Sequence, residues 1–461
     1  MEFASKDIRV KTIPEALFRY KDSQKPAVIC GERIISYMEL WILGNTISRH
    51  LIRRGIRKGD RIVLDMERSE LAVCMLVGIA MMGGIAVFIH REWPRKQKEY
   101  VIEDCAPALI VNNDTAKNLM TCTVDEIEAG NGQAAQTILP PLTGKDPFLI
   151  VYTSGSTGRP KGAVLAHLTA TNSSTVFQTN RLICADMENC DVRLMDIDFS
   201  YVASTVLIAR ALFNGAALVV ATDRDIATPG ALAALIRQYK RISVSWTPTR
   251  IKLLLSDPEM VRAVDHIKVL AIIGEKVPED LFGLLDQHMP HTLKFCTYGM
   301  SEMMQLENRP YTDKTRTLVE SPLPNIGLHV LDSNGSPVPE GVMGEICISG
   351  IPAMFGRYWN NPELTDNRYM LHPKYGRIFR TGDLAMQEGN GRLRLMGRND
   401  QMAKLRGIRI DLEAIEKVIS VDPEIKDVIA MVLGEGDAQV LTAFFTRSEE
   451  RRVGKECRSR W

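Results

Sequence analysis

Short apolar runs recur along the chain with helical patterns between them. FLIVY (148–152), ALVVA (217–221), ISVSW (242–246), VLAII (269–273) and LKFCT (293–297) show little polar alternation and carry many β-branched residues. Runs of that kind read as strands covered on both faces, and residues 231–239 and 249–255 supply helical patterns between them. The fold class expected is therefore α/β with mainly parallel sheet. At 461 residues the chain has room for about three structural units. A net charge of +1 argues against a nucleic-acid coat or a polybasic membrane anchor. Nine cysteines without a CxxC pair, and eight histidines without ligand spacing, argue against a zinc site or a disulfide scaffold. The opening MEFASKDIRVK has no apolar core ahead of a cleavage site, so the expected location is the cytoplasm.

Residues 71–89 run for 19 positions without a charge, long enough to span a bilayer. Gly83-Gly84 interrupts the run and IAVFI follows, which favours a buried helix and then a buried strand. Ser36-Tyr37-Met38-Glu39 is a capping box, with Leu40, Leu43, Ile47 and Leu51 at helical spacing behind it.

The pattern changes near residue 325. Asn334-Gly335 and Asn390-Gly391 each separate two strand-like runs, so residues 325–396 are expected to form a small antiparallel β-barrel. With the two sheet-and-helix subdomains before it, this makes a large domain over 1–396. A partial α+β domain is expected over 397–446, where Asp411 precedes a helical Leu412, Ile415 and Ile419. Residues 447–461 (RSEERRVGKECRSRW) have no apolar period and read as a tail that is disordered or not native.

Three strings carry chemistry. Residues 152–162 (YTSGSTGRPKG) follow a buried strand. Small residues let backbone N–H groups approach a polyphosphate, and hydroxyls plus Lys161 add donors. The order is not that of a Walker loop, and a Gly/Ser-rich turn by itself is usually only a flexible loop. Tyr298-Gly299-Met300-Ser301-Glu302 also ends a strand, where ligands of α/β sheets gather. Glu302 suits Mg²⁺ held with phosphate oxygens, against the plainer reading of a solvated carboxylate. Arg380-Thr381-Gly382-Asp383-Leu384 offers a carboxylate fit for a ribose diol, and the 397–407 string GRNDQMAKLRG follows.

Together these strings resemble the adenylate-forming superfamily of acyl-CoA synthetases, luciferases and peptide-synthetase adenylation domains. The resemblance covers about residues 10–445, with supporting matches at 36–40, 83–88, 344–350 and 358–365. Peptide-synthetase domains look closest through ALFNGAALVV (211–220), whereas Met300 is similar to acyl-CoA synthetases. The resemblance implies a nucleotide site of Thr153, Ser154, Gly155, Ser156, Thr157, Gly158 and Lys161 around the phosphates. Gly274 and Glu275 would border the adenine, Tyr298 would stack on it, and Asp383 with Arg398 would hold the ribose. Glu302 would coordinate the metal, Asp400 would be the hinge, and Lys404 would serve the thiolation surface as a catalytic residue. The implied pocket for the acid is Val202, Ala203, Val206, Ser245, Ala271, Ile273, Thr297, Gln305 and Leu306.

The implied reaction joins a carboxylic acid to ATP with Mg²⁺, giving an acyl-adenylate and pyrophosphate. The thiol acceptor would be the phosphopantetheine of a carrier protein, or CoA in a stand-alone acyl or aryl ligase; no nucleic-acid or membrane partner is expected. Positioning and charge stabilisation suffice, because the substrate carboxylate is itself the nucleophile. A nucleotide-binding module without catalysis is the rival from another class. Two departures stand out. Val202 occupies the place where amino-acid-activating members carry an Asp, so the acid is expected to lack an α-amine unless Asp196 or Asp198 takes that role. Lys455 imitates the family's late catalytic lysine but comes too early, so weak adenylation is expected.

Overall fold

The computed structural model describes residues 10–119, 138–153, 159–174, 180–312, 318–320, 322–398, 402–405, 408–434 and 439–447. Two mainly parallel sheets face each other. The first orders its strands Arg357–Tyr358, Lys161–Ala166, Pro147–Thr153, Ile85–Phe88, Arg61–Asp65 and Leu109–Asn112. The second runs Met304–Pro310, Leu293–Met300, Ile267–Ile272, Ile242–Trp246, Val192–Met195, Ala217–Val220, Pro26–Cys30 and Arg33–Ser36. The inner pairings of both are parallel; antiparallel strands close both ends of the second sheet but one end of the first, whose other end pairs Arg61–Asp65 with Leu109–Asn112 in parallel. All five expected strands are present.

The largest core lies between these sheets. It holds Leu64, Phe88 and Leu149 of one, Val28, Met195 and Leu218 of the other, and the helices Tyr37–Arg53, Glu70–Met81 and Val202–Leu212. Residues 71–89 resolve as expected into a wholly buried helix, Glu70–Met81, and a wholly buried strand, Ile85–Phe88. No helix among the described residues is long and apolar enough to cross a membrane. The capping box forms at Ser36, with Glu39 reaching back to its N–H. Glycine decides how the two central helices meet. A Cβ on Gly78 would come within 2.5 Å of Ile47 Cγ2, and Ser48 Oγ donates to the carbonyls of both Gly44 and Gly78 at 2.7 Å.

A third, antiparallel six-stranded sheet orders Leu318–Val319, Arg392–Arg398, Gly376–Glu388, Met343–Gly350 and Ile326–Leu331, with Tyr369–His372 added on Gly376–Glu388. This is the antiparallel unit expected near 325–396. The strand Arg392–Arg398 runs two residues past the expected boundary, pairing Arg398 with Asp383. Beyond it lie two hairpins, Met402–Leu405 with Ile408–Asp411 and Ile425–Leu433 with Val440–Arg447, and the helix Leu412–Ile419 between them. A separate core joins the third sheet to the ends of the other two. It contains Ala163, Met303, Leu306, Ile348, Tyr358, Tyr369 and Phe379. The chemistry-bearing strings converge on this junction.

Candidate nucleotide site

The 152–162 string begins and ends in two paired strands. Pro147–Thr153 and Lys161–Ala166 pair antiparallel, and their last rung joins Thr153 to Lys161. The string follows a buried strand, as expected, and a second strand, Lys161–Ala166, takes up the chain at its far end. Ser154, Gly155, Ser156, Thr157 and Gly158 lie outside the described residues. Thr153 Oγ1 beside them is buried and has no hydrogen-bond partner among the described residues, which fits a group that receives a ligand oxygen. Gly162 lets the Arg357–Tyr358 strand approach. A Cβ there would stand 2.8 Å from Ile150 Cγ2 and 3.2 Å from Trp359 Cβ, and Trp359 N donates to Gly162 O at 2.7 Å.

That approach places Tyr358 between two predicted catalytic residues. Lys161 Nζ lies over the Tyr358 ring, 5.3 Å from its centre, and Tyr358 Oη donates to Glu302 Oε1 at 2.8 Å. Lys161 is 9% exposed and Glu302 1%. Both charges are thus held in a low-dielectric junction, where each acts more strongly on a ligand than it would in water. Glu302 sits in the turn between Leu293–Met300 and Met304–Pro310, so the strand runs further than LKFCT implied. One buried carboxylate suits a Mg²⁺ whose other ligands are phosphate oxygens and water. Among the described residues no cluster of three acidic, histidine or cysteine side chains could hold a metal without a nucleotide.

The second half of the site is built on the third sheet. Gly382 takes φ +78°, and its N–H donates to Glu345 Oε1 at 2.8 Å, while Arg380 bonds Glu345 Oε2. Asp383 N donates to Thr381 Oγ1 at 2.9 Å. The backbone around Asp383 is therefore fixed before any ligand arrives. Its carboxylate accepts from Tyr298 Oη at 2.6 Å and from Arg398, which also donates to Thr381 O. The Tyr298 hydroxyl is pushed far above its ordinary pKa, by burial first and then by the Asp383 charge. It is therefore protonated and a donor. Tyr298, Asp383 and Arg398 form one unit, with the predicted stacking residue tied through its hydroxyl to the predicted ribose carboxylate.

The other predicted residues divide. Gly274 follows the Ile267–Ile272 strand with φ +80°. The Glu275 carboxylate turns back to cap the Pro248–Leu255 helix, accepting from Thr249 N and Oγ1 at 3.0 and 2.9 Å. Ser245 and Ala271 are register partners in the second sheet, with Ile273 just past the end of the Ile267–Ile272 strand and Thr297 within the Leu293–Met300 strand beside it. Val202, Ala203 and Val206 lie on the helix above that face. Gln305 is buried, and Leu306 packs away from this group with Met303 and Ala163. Asp196 accepts from Trp246 Nε1 and pairs with Arg250, both at 2.8 Å. Asp198 accepts from Ser200 and faces Arg68. Both carboxylates are thus engaged inside the protein. Lys404 lies on the Met402–Leu405 strand, while Asp400 and Lys455 lie outside the described residues.

The profile of the AMP-binding enzyme family matches residues 18–359. The chain belongs to that family. It is 28% identical over 447 residues to a plipastatin synthase polypeptide of Bacillus subtilis (strain 168), covering 93% of this chain and 17% of that protein. It is 29% identical over 440 residues to bacitracin synthase 1 of Bacillus licheniformis, covering 93% of this chain and 8% of that one. The chain thus spans less than a fifth of either relative. Among solved structures, an artificially fused adenylation–PCP di-domain from Klebsiella oxytoca superposes with a TM-score of 0.79 at 22% identity, over 95% of this chain and 89% of that one. The crystal structure of IdnL1 gives 0.79 at 22%, over 97% and 94%. These likenesses agree with the layered α/β fold.

Sequence reasoning missed Tyr358 as a site residue. Its string stands out only as a family match, because a two-residue strand leaves no periodic trace. Its signal is the aromatic pair Tyr358-Trp359 ahead of Asn361-Pro362, a helix start that fixes where the short strand ends.

Proposed function

We propose that the chain activates a carboxylic acid with ATP, giving an acyl-adenylate and pyrophosphate, for transfer to the phosphopantetheine thiol of a carrier protein. The observation that carries this reading is the Lys161–Tyr358–Glu302 arrangement at the mouth of the hairpin loop, with Asp383 fixed on the neighbouring sheet.

In this reading Lys161 and the hairpin loop hold the phosphates, and the buried ammonium offsets charge as the α–β bond breaks. Asp383 accepts from the ribose hydroxyls, kept in place by Tyr298 and Arg398. Glu302 would hold Mg²⁺, which when bound neutralises phosphate charge. The protein supplies no nucleophile: the acid's carboxylate attacks the α-phosphorus, and the helix Val202–Leu212 with the facing strand ends positions its acyl group. Val202 offers no charge to an α-ammonium, and Asp196 and Asp198 are already engaged, which supports an acid without an α-amine. The relatives are peptide synthases, which favours a carrier thiol over CoA. Titration with ATP and Mg²⁺ tests the site: saturable binding should weaken at least about tenfold in Lys161→Ala, the scale of one lost charge-assisted contact. Unchanged affinity would overturn the assignment of the loop.

A further inference from the structure

A buried charge cluster lies under the acyl-pocket candidates, and the proposed reaction does not use it. Asp186 comes from the helix Arg181–Asn189, Arg193 from the strand Val192–Met195 and Arg210 from the helix Val202–Leu212. Their exposures are 1%, 2% and 3%. Arg210 Nε stands 2.8 Å from Asp186 Oδ2, and Arg193 Nε stands 4.0 Å from the same atom. Neither pair is aligned as a hydrogen bond, so charge holds them. One carboxylate therefore serves two guanidiniums. The other titratable groups acting on Arg193 are Cys190 and Tyr37. Burial pushes Cys190 up to about 12 and raises Tyr37 still further, so both are neutral. Among the described residues the cluster carries one surplus positive charge.

Sheet geometry brings that charge to the acyl-pocket candidates Ser245 and Ala271. Ser243 is the register partner of Arg193, and Ser245 is that of Ala271. Ser243 and Ser245 share one face of their strand, while Val244 and Trp246 enter the opposite core. Arg210 reaches this face, with a terminal nitrogen 3.2 Å from Ser245 Oγ and 3.5 Å from Ser243 Oγ. A guanidinium only donates, so Ser245 Oγ accepts from it and keeps its own proton to give. Ser245 lies one residue before the end of the strand Ile242–Trp246, nearer that end than Ser243. It therefore presents a hydroxyl donor, backed by an unbalanced cation, to whatever enters between the helix and the sheet. An apolar acyl tail leaves that charge uncompensated in the interior, whereas an anionic end balances it.

We propose that Arg210, acting through Ser245, makes the pocket select acids whose acyl chain ends in a second carboxylate. This rests on the acid-activation reading, and Arg210 is a positioning residue in it. The test uses the full chain and non-reactive acyl-sulfamoyl adenosines in pairs: succinyl, glutaryl and adipyl, each beside its methyl-branched isostere of equal length. Calorimetry should show at least one diacid analogue bound about tenfold or more tighter than its isostere, the scale of a buried charge-assisted contact. Arg210→Met and Ser245→Ala should each bring the ratio towards one, and Arg210→Lys should restore part of it. A merely structural role for the cluster would lower stability without moving the ratio. Isosteres bound as well as or better than the diacids would overturn the proposal and leave acid activation standing. A diacid preference that survives Arg210→Met would remove Arg210 from it. If neither class binds and ATP does not bind either, acid activation falls and the proposal falls with it.

Discussion

Tyr358 joins Lys161 and Glu302 at the proposed phosphate end of the site, and each part of the side chain has its own task. The ring lies beside Lys161 and the hydroxyl donates to Glu302. Tyr358→Phe keeps the ring and removes the donor from a buried carboxylate. That should cost about 1–3 kcal/mol, read as a lower denaturant midpoint with unchanged slope. An unchanged midpoint would show that the hydroxyl does not hold Glu302. At this scale the sequence was most informative where chemistry needs consecutive residues. The 152–162 and Arg380–Leu384 strings announce themselves because each gathers its candidate residues at consecutive positions of the chain. Glu275 was less legible: its carboxylate is drawn to the exposed N–H groups of the Pro248–Leu255 helix, a preference set by three-dimensional proximity. The Asp186–Arg193–Arg210 cluster had no sequence signal, since its members come from three elements and no local spacing relates them.

Elements were read well where one property dominated. The uncharged stretch of residues 71–89 becomes a buried helix and strand because Gly83 and Gly84 break it and the sheet partners cover it. The close crossing of Tyr37–Arg53 and Glu70–Met81 depends on Gly78. Gly78→Ala should force Ile47 aside and cost about 1–3 kcal/mol, the range for overpacking a filled core, measured as a fall in melting temperature. A gain in stability would mean that the helices have room to spare. The helix Ile13–Phe18 is tied to the body by Ile13 N donating to His167 Nδ1 at 3.4 Å. Burial depresses His167 to about 4, so it is neutral in the folded protein. The unfolded histidine takes its proton first, near pH 6.5, so stability is fully present above that value. It falls as pH drops towards 4, by on the order of 3 kcal/mol from this residue. His167→Gln should flatten that part of the stability profile. A slope equal to wild type would refute the assignment. The strand Lys161–Ala166 shows the limit of element reading: it pairs with Arg357–Tyr358, nearly two hundred residues on, and no local pattern announces that pairing.

On the scale of the whole molecule, two facing sheets bring their strand ends to a junction that the antiparallel third sheet completes, and the candidate site lies there. Alternating apolar runs made the α/β layers legible, and the two Asn-Gly turns marked the change to antiparallel pairing. Which sheet each strand joins was not legible, because strand order depends on long-range contacts. Val202, which offers an ammonium no charge, was legible in the sequence, whereas the charge beneath Ser245 emerged only from three elements packed together. The reaction proposed for this junction is acyl-adenylate formation. Its most direct test is acid-dependent exchange of labelled pyrophosphate into ATP, run with a panel of carboxylic acids that includes diacids. Exchange above the acid-free background is expected for at least one acid, slowed about 10²–10³-fold in Lys161→Ala by loss of a preorganised cation. Exchange that is indifferent to every acid, or equal in Lys161→Ala, would contradict it.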